Sequence, residues 1–251
     1  MPGKLLLAVV ALSLFIPTVA CAPTEAETTK IGCVLSTSGL LGPKGKARMS
    51  AARLAVEEIN ADGGVLGKPV VLLEEDDATE PEKCLKLVKK MVGAEGVRVL
   101  VGGMSSGAVM ASGSYVAEKR VLMVSPSATS PEISDQPWTS WVYRTTPDDS
   151  LQAVILAGVV LEKGFTRLAT MVQANPYGTG LEKALIEALK EAGWTGQHVI
   201  AVHFDPARRD YRTDLDNIKG SNPDVVFAVT YVEDGIVVFR QALEMGLDKT
   251  A

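Results

Sequence analysis

The chain is poor in aromatic rings, histidine and cysteine. Phe, Trp and Tyr make up 5% of its 251 residues, and there are 2 histidines and 3 cysteines. With no C-x-x-C pair, the common zinc frameworks are excluded, and no metal-ligand spacing stands out among the acids. Positive charge is also in deficit: 25 Lys and Arg stand against 30 Asp and Glu, a formal charge of −5. That balance leaves no basic footprint for nucleic acid. The apolar run Leu5 to Ile16 falls short of the ~20 residues that span a bilayer as a helix.

Small aliphatic residues carry the hydrophobic content, which reaches 47%. Such composition suits parallel strands covered by helices on both faces. At the N-terminus, Lys4 precedes the apolar run, and Thr18-Val19-Ala20-Cys21 follows with small residues. This reads as a signal peptide over 1–20. Cys21 after small residues resembles a lipobox, so Cys21 is the expected lipidation site; plain secretion with cleavage in Ala20-Cys21-Ala22 is the alternative. Residues 21–29 lack a hydrophobic period and read as a flexible tether. The expected location is the periplasm or the outer face of the cytoplasmic membrane, with a lipid anchor. Cys33 and Cys84 read as buried thiols, since nothing in the spacing sets up a disulfide.

From Lys30 onward, strand-like and helix-like runs alternate. Arg48 to Asn60 reads as a helix with Ala52, Ala55, Val56 and Ile59 on one face. Four prolines (Pro126, Pro131, Pro137, Pro147) interrupt the alternation, which restarts at Asp149. The expectation is an α/β fold with two Rossmann-like lobes and parallel sheets. The N-terminal lobe spans 30–140, the hinge crossover 141–148 and the C-terminal lobe 149–251, with a cleft between the lobes.

Two loops point to that cleft. The strand-like run Val97 to Val101 leads into Gly102-Gly103-Met104-Ser105-Ser106-Gly107, and Val121 to Val124 leads into Ser125-Pro126-Ser127-Ala128-Thr129. Ligands bind beyond the carboxyl ends of parallel strands. Backbone N–H groups, hydroxyls and a helix N-terminus there suit a carboxylate. The same residues can also serve as helix caps and turn formers.

Two other classes deserve weighing. Gly103-x-Ser105-x-Gly107 spells a nucleophile elbow, as in a secreted serine hydrolase. His198 and His203 are the available bases, and both fall in one predicted strand, five residues apart and so on opposite faces. Gly42 to Ala47 fails as a phosphate loop, because Leu40 replaces the first Gly and Ala47 the Ser/Thr. No enzyme activity and no cofactor are expected.

The run Ala52-Arg53-Leu54-Ala55-Val56-Glu57-Glu58-Ile59-Asn60 with Gly63-Gly64, then Asp76-Asp77, Gly102-Gly103 and Ser105-Ser106 form one pattern. Ser125-Pro126-Ser127-Ala128-Thr129, Arg144-Thr145-Thr146-Pro147, Tyr177-Gly178 and Pro223-Asp224-Val225-Val226 continue it. On these marks the chain resembles the type I substrate-binding proteins of ABC transporters, in the Leu/Ile/Val-binding group. The resemblance implies a binding protein that closes over an amino acid, of branched-chain type or related, or a similar small carboxylate or amide, and delivers it to a membrane permease complex. It implies that Ser106, Ser127 and Thr129 hold the solute carboxylate, that Asp149 lies near the cleft, and that Tyr177 and Tyr231 face the solute. Lys44 stands where the family often has an aromatic residue; it is a candidate ligand residue, a second anchor for an anionic group, with a solvated loop lysine as the alternative. Family members run on beyond this length, so the resemblance also implies a second lobe that is incomplete here, without the carboxylate that grips the ligand ammonium. A ligand-sensing receptor domain of the same fold is the remaining alternative.

Overall fold

The computed structural model describes residues 28–247. The expected signal segment, most of the expected tether and Cys21 lie outside the described residues. Strand β1 (Thr29–Leu35) is followed by helix α1 (Gly42–Ala61), β2 (Val70–Asp76), α2 (Pro81–Gly93), β3 (Val99–Gly102), α3 (Ser106–Glu118), β4 (Leu122–Ser125) and β5 (Val142–Arg144). These strands form one parallel sheet in the order β2-β1-β3-β4-β5. Then come α4 (Asp149–Glu162), β6 (Arg167–Gln173), α5 (Pro176–Glu191), β7 (Gln197–Phe204), α6 (Arg212–Gly220), β8 (Val225–Val229) and α7 (Val232–Glu244). Their strands form a second parallel sheet, β7-β6-β8. Both sheets place the carboxyl ends of their strands on one edge, where α3, α5 and α7 begin.

The first core gathers Val34, Leu100, Val109, Met123 and Trp138 between the sheet and its helices. The second sheet is covered on both faces: Leu168, Val172, Leu181 and Leu185 pack on one, and Met171, Phe204, Tyr211 and Ile218 on the other. Two-sided burial explains why β6 reads as a continuous apolar run rather than an alternating one. Cys33 and Cys84 are buried free thiols, and burial pushes both up to about 12.

The predicted first helix is corrected at its start. It begins at Gly42 rather than Arg48, with Pro43 in its first turn. Its buried residues are Gly42, Gly45 and Met49, whereas Ala55 and Ile59 of the predicted stripe are exposed. The helix thus docks through its glycine-containing N-terminal end: a Cβ on Gly45 would lie 1.7 Å from the Ser36 carbonyl oxygen. No side chain fits there, so backbone packs on backbone.

The histidines are also corrected. Strand β7 slips by one residue against β6, since Leu168 pairs with His198 and Ala169 with Ile200. A bulge of this kind flips the alternation, so His198 and His203 meet one buried cluster on the same face. His198 Nε2 is 2.8 Å from Thr170 Oγ1, His203 Nε2 is 2.5 Å from Glu182 Oε2, and Thr170 donates to Glu182. The pair braces the edge strand β7 to α5.

Two apolar faces remain exposed. Leu151, Val154 and Ile155 on α4, and Ile236, Phe239 and Leu243 on α7, are each more than half exposed.

Candidate functional site

The two Gly- and hydroxyl-rich loops are tied to each other. Ser125 Oγ donates to the Gly103 carbonyl (2.6 Å) and accepts from the Ala128 N–H (3.1 Å). Ser127 Oγ donates to the Met104 carbonyl (2.7 Å), and Ser106 Oγ accepts from the Ser130 N–H (3.2 Å). Ser105 caps α3, accepting from the Ala108 N–H at 3.1 Å. These bonds fix the rim, and in them Ser106 Oγ acts only as an acceptor. The rim sits at the positive end of α3, which favours negative charge.

The opposing wall comes from the second sheet. Asn175 Oδ1 accepts from the N–H groups of Tyr177 (3.1 Å) and Gly178 (3.0 Å), capping α5 and setting the Tyr177 ring. That ring stacks on Tyr231, with centroids 5.4 Å apart and planes 2° from parallel. Tyr231 in turn packs against the cluster of Cys33, Leu35, Leu41, Met49 and Met104 beside the first sheet. Burial raises the pKa of both phenols, with the Asp149 carboxylate adding to the shift.

Between these walls lies a cavity of about 270 Å³. Six of the seven predicted ligand residues line it: Ser106, Ser127, Thr129, Lys44, Tyr177 and Tyr231. Asp149 does not. It starts α4 behind Thr129, its N–H bonded to the Thr129 carbonyl at 2.9 Å, and only 3% of it is exposed. It borders a neighbouring hollow of about 330 Å³ that shares Thr129 and Thr146 with the first. Burial raises the Asp149 carboxyl, with the Thr129 hydroxyl acting against that rise, and its Oδ2 has no hydrogen-bond partner.

Sequence reasoning missed Arg48, Thr146 and Thr230, which also line the cavity. Arg48 stands one helical turn beyond Lys44, a spacing that puts both on one helix face. Thr146 belongs to the quoted Arg144-Thr145-Thr146-Pro147 run, and its Oγ1 is buried without a partner. A larger hollow, about 490 Å³, lies between α1 and β2. It is walled by Arg53 and Glu74, which pair with each other at 2.5 Å, so this hollow offers little uncommitted charge. It takes no residue from the Gly102–Gly107 or Ser125–Thr129 loops, and the smaller cavity is the better candidate.

Ser105 of the elbow-like motif lines the cavity, but its hydroxyl oxygen is engaged as the α3 cap. The two histidines stand on β7 with Thr170 and Glu182, and neither lines the cavity. Among the described residues, no group of three or more His, Cys, Asp or Glu is arranged to hold a metal ion. No described helix is long and apolar enough to cross a membrane.

This chain is similar to several known proteins. The Leu/Ile/Val-binding protein BraC3 of Rhizobium johnstonii is 33% identical over 237 residues, 94% of this chain and 63% of that protein. The Leu/Ile/Val-binding protein of Escherichia coli is 29% identical, covering 88% of this chain and 60% of its own. Among solved structures, the branched-chain amino acid transporter substrate-binding protein LivJ of Streptococcus pneumoniae, in complex with isoleucine, aligns with a TM-score of 0.75 at 28% identity, over 88% of this chain and 62% of that one. A Rhodopseudomonas palustris solute-binding protein in complex with 4-hydroxybenzoate shares the fold, with a TM-score of 0.75 at 22% identity over 89% of this chain and 60% of that one. The chain therefore spans about 60% of the length of the relatives it matches. The family described as periplasmic binding protein matches residues 28–251, and the chain belongs to that family.

Proposed function

We propose that this chain is the solute-binding component of an ABC importer, working outside the cytoplasm and taking a small carboxylate, an amino acid or a related acid, in the cleft between two α/β lobes. The lobes are 30–140 and 149–251, joined through 141–148. A membrane permease complex receives the solute, and lipidated Cys21 tethers the protein to the membrane. The observation that carries this reading is the composition of one cavity: a hydroxyl rim from the first sheet faces two stacked tyrosines from the second. The Ser106 hydroxyl and the backbone N–H groups of the rim supply hydrogen-bond donors at a helix N-terminus, while the Ser127 hydroxyl already donates to the Met104 carbonyl; charge-assisted bonds of this kind contribute ~1.5–3 kcal/mol each. The rings exclude water. Closure of the lobes follows from contacts that only the closed state makes with the solute. Binding without chemistry suits a serine whose hydroxyl oxygen is engaged in capping and histidines held elsewhere.

Calorimetric titration of the chain with L-leucine, L-glutamate and 4-hydroxybenzoate tests the reading. At least one carboxylate should bind with one-to-one stoichiometry, and Thr129→Ala should weaken that binding by ~1–3 kcal/mol. Affinity unchanged by Thr129→Ala would remove Thr129 from the site, and no binding by any carboxylate would remove the reading.

A further inference from the structure

Several cations among the described residues are committed to carboxylates: Arg53 to Glu74, Lys90 to Glu75, Arg208 to Asp214 and Arg212 to Glu244. Others, Lys46 among them, have no carboxylate partner among the described residues; Lys44 and Arg48 are set apart by where they stand. They stand one turn apart on α1, both line the 270 Å³ cavity, and neither has a carboxylate partner among the described residues. The Arg48 guanidinium donates instead to the Lys44 carbonyl at 3.3 Å. No Asp or Glu lines the cavity. Asp149 lies behind Thr129, so nothing on the cavity surface neutralises the two cations.

Their place in the helix sharpens the point. Lys44, Lys46 and Arg48 fall in the first two turns of α1, whose first turn holds no acid. Cations there oppose the helix dipole, while an anion there is favoured by it. The cavity therefore has two regions that favour negative charge. One is the Ser106–Thr129 rim at the start of α3. The other is the Lys44–Arg48 pair at the start of α1. Apolar lining, apart from the tyrosine rings, is limited to Leu41 and Met104. A solute with one carboxylate and an aliphatic tail would answer one region and leave its tail among charges, which is unfavourable.

We infer that the solute of this cleft carries two acidic groups: a small dicarboxylate, such as an acidic amino acid, with one carboxylate on the Ser106–Thr129 rim and the other on Lys44 and Arg48. This rests on the reading of the cleft as a carboxylate site. It separates the chain from the two neighbours crystallised with isoleucine and 4-hydroxybenzoate, each of which carries a single carboxylate.

Matched acid and amide pairs provide the test, because they differ in one charge and little else. The full chain is titrated by calorimetry with L-glutamate and L-glutamine, L-aspartate and L-asparagine, and glutarate and its monoamide, with L-leucine alongside. The same titrations follow for Lys44→Met, Arg48→Met and the double variant, each checked for folding by circular dichroism. At least one acid should bind about tenfold or more tighter than its amide, the worth of one charge-assisted bond. The preference should shrink in each single variant and vanish in the double variant. Equal affinity for acid and amide overturns the inference, as does a preference that survives in the double variant. Binding of L-leucine with exclusion of every diacid also overturns it, while leaving the carboxylate site intact. Failure of every carboxylate to bind folded protein removes the underlying reading, a result distinct from the other three.

Discussion

Gly45→Ala should destabilise the fold by ~1–3 kcal/mol or more and weaken solute binding in the same variant. The added Cβ would lie 1.7 Å from the Ser36 carbonyl oxygen and 2.4 Å from its carbon. Both are backbone atoms at the end of β1, so no side-chain rotation relieves the clash. The N-terminal end of α1 must move off the sheet. Lys44 adjoins Gly45 and Arg48 follows within a turn, so the cations of the cavity move with it. Urea unfolding reads the stability, and calorimetry with L-glutamate reads the binding. Gly158→Ala is the control. Gly158 lies inside α4 with nothing within 4 Å of the added carbon, so alanine there should stabilise by up to ~1 kcal/mol. A wild-type unfolding midpoint for Gly45→Ala would refute the backbone-on-backbone docking.

Tyr177→Ala should weaken binding by ~2 kcal/mol or more, whereas Tyr177→Phe should change it little. The ring forms one wall of the cavity, stacks on Tyr231 and packs on the core of the second sheet. Ring pairs of this kind contribute ~0.5–1.5 kcal/mol beyond the area they bury, and truncation also opens the wall to water. The hydroxyl has no hydrogen bond in the structure that would explain a large loss with Phe. Small-angle scattering adds a second measure: ligand-induced compaction should fail in Tyr177→Ala and persist in Tyr177→Phe. Compaction and affinity equal to wild type in Tyr177→Ala would exclude the ring as a wall of the site.

Much of this architecture is legible in the residues. Alternating strand and helix patterns give the parallel sheets, and the two hydroxyl-rich loops lie at the ends of neighbouring strands, as β3 and β4 require. What escapes the sequence depends on tertiary contact. Gly42-Pro43-Lys44-Gly45 looks like a loop because glycine and proline are poor in helix interiors. It becomes helix because only glycine lets α1 lie on Ser36. Arg48 reads as the start of a helix and not as a site residue, since the sequence puts Lys44 in a loop rather than one turn before it on the same helix. The slip between β6 and β7 leaves no mark on hydrophobic alternation, so the shared face of His198 and His203 could not be read. Asp149 carries an N-terminal acid signal that a first-turn residue explains equally well, and its depth behind Thr129 follows from how α4 enters the fold. Helix α4 is apolar around much of its circumference, so its sequence does not tell that Leu151, Val154 and Ile155 face outward.

The central claim is that the Ser106–Thr129 rim receives a solute carboxylate. Amide ¹H–¹⁵N spectra of the chain titrated with L-glutamate and L-leucine test it most directly. The N–H signals of Ser106, Gly107 and Thr129 should move first and furthest for whichever acid binds, ahead of any signal on α6. A saturable titration in which those three amides stay still while signals elsewhere shift would contradict the account.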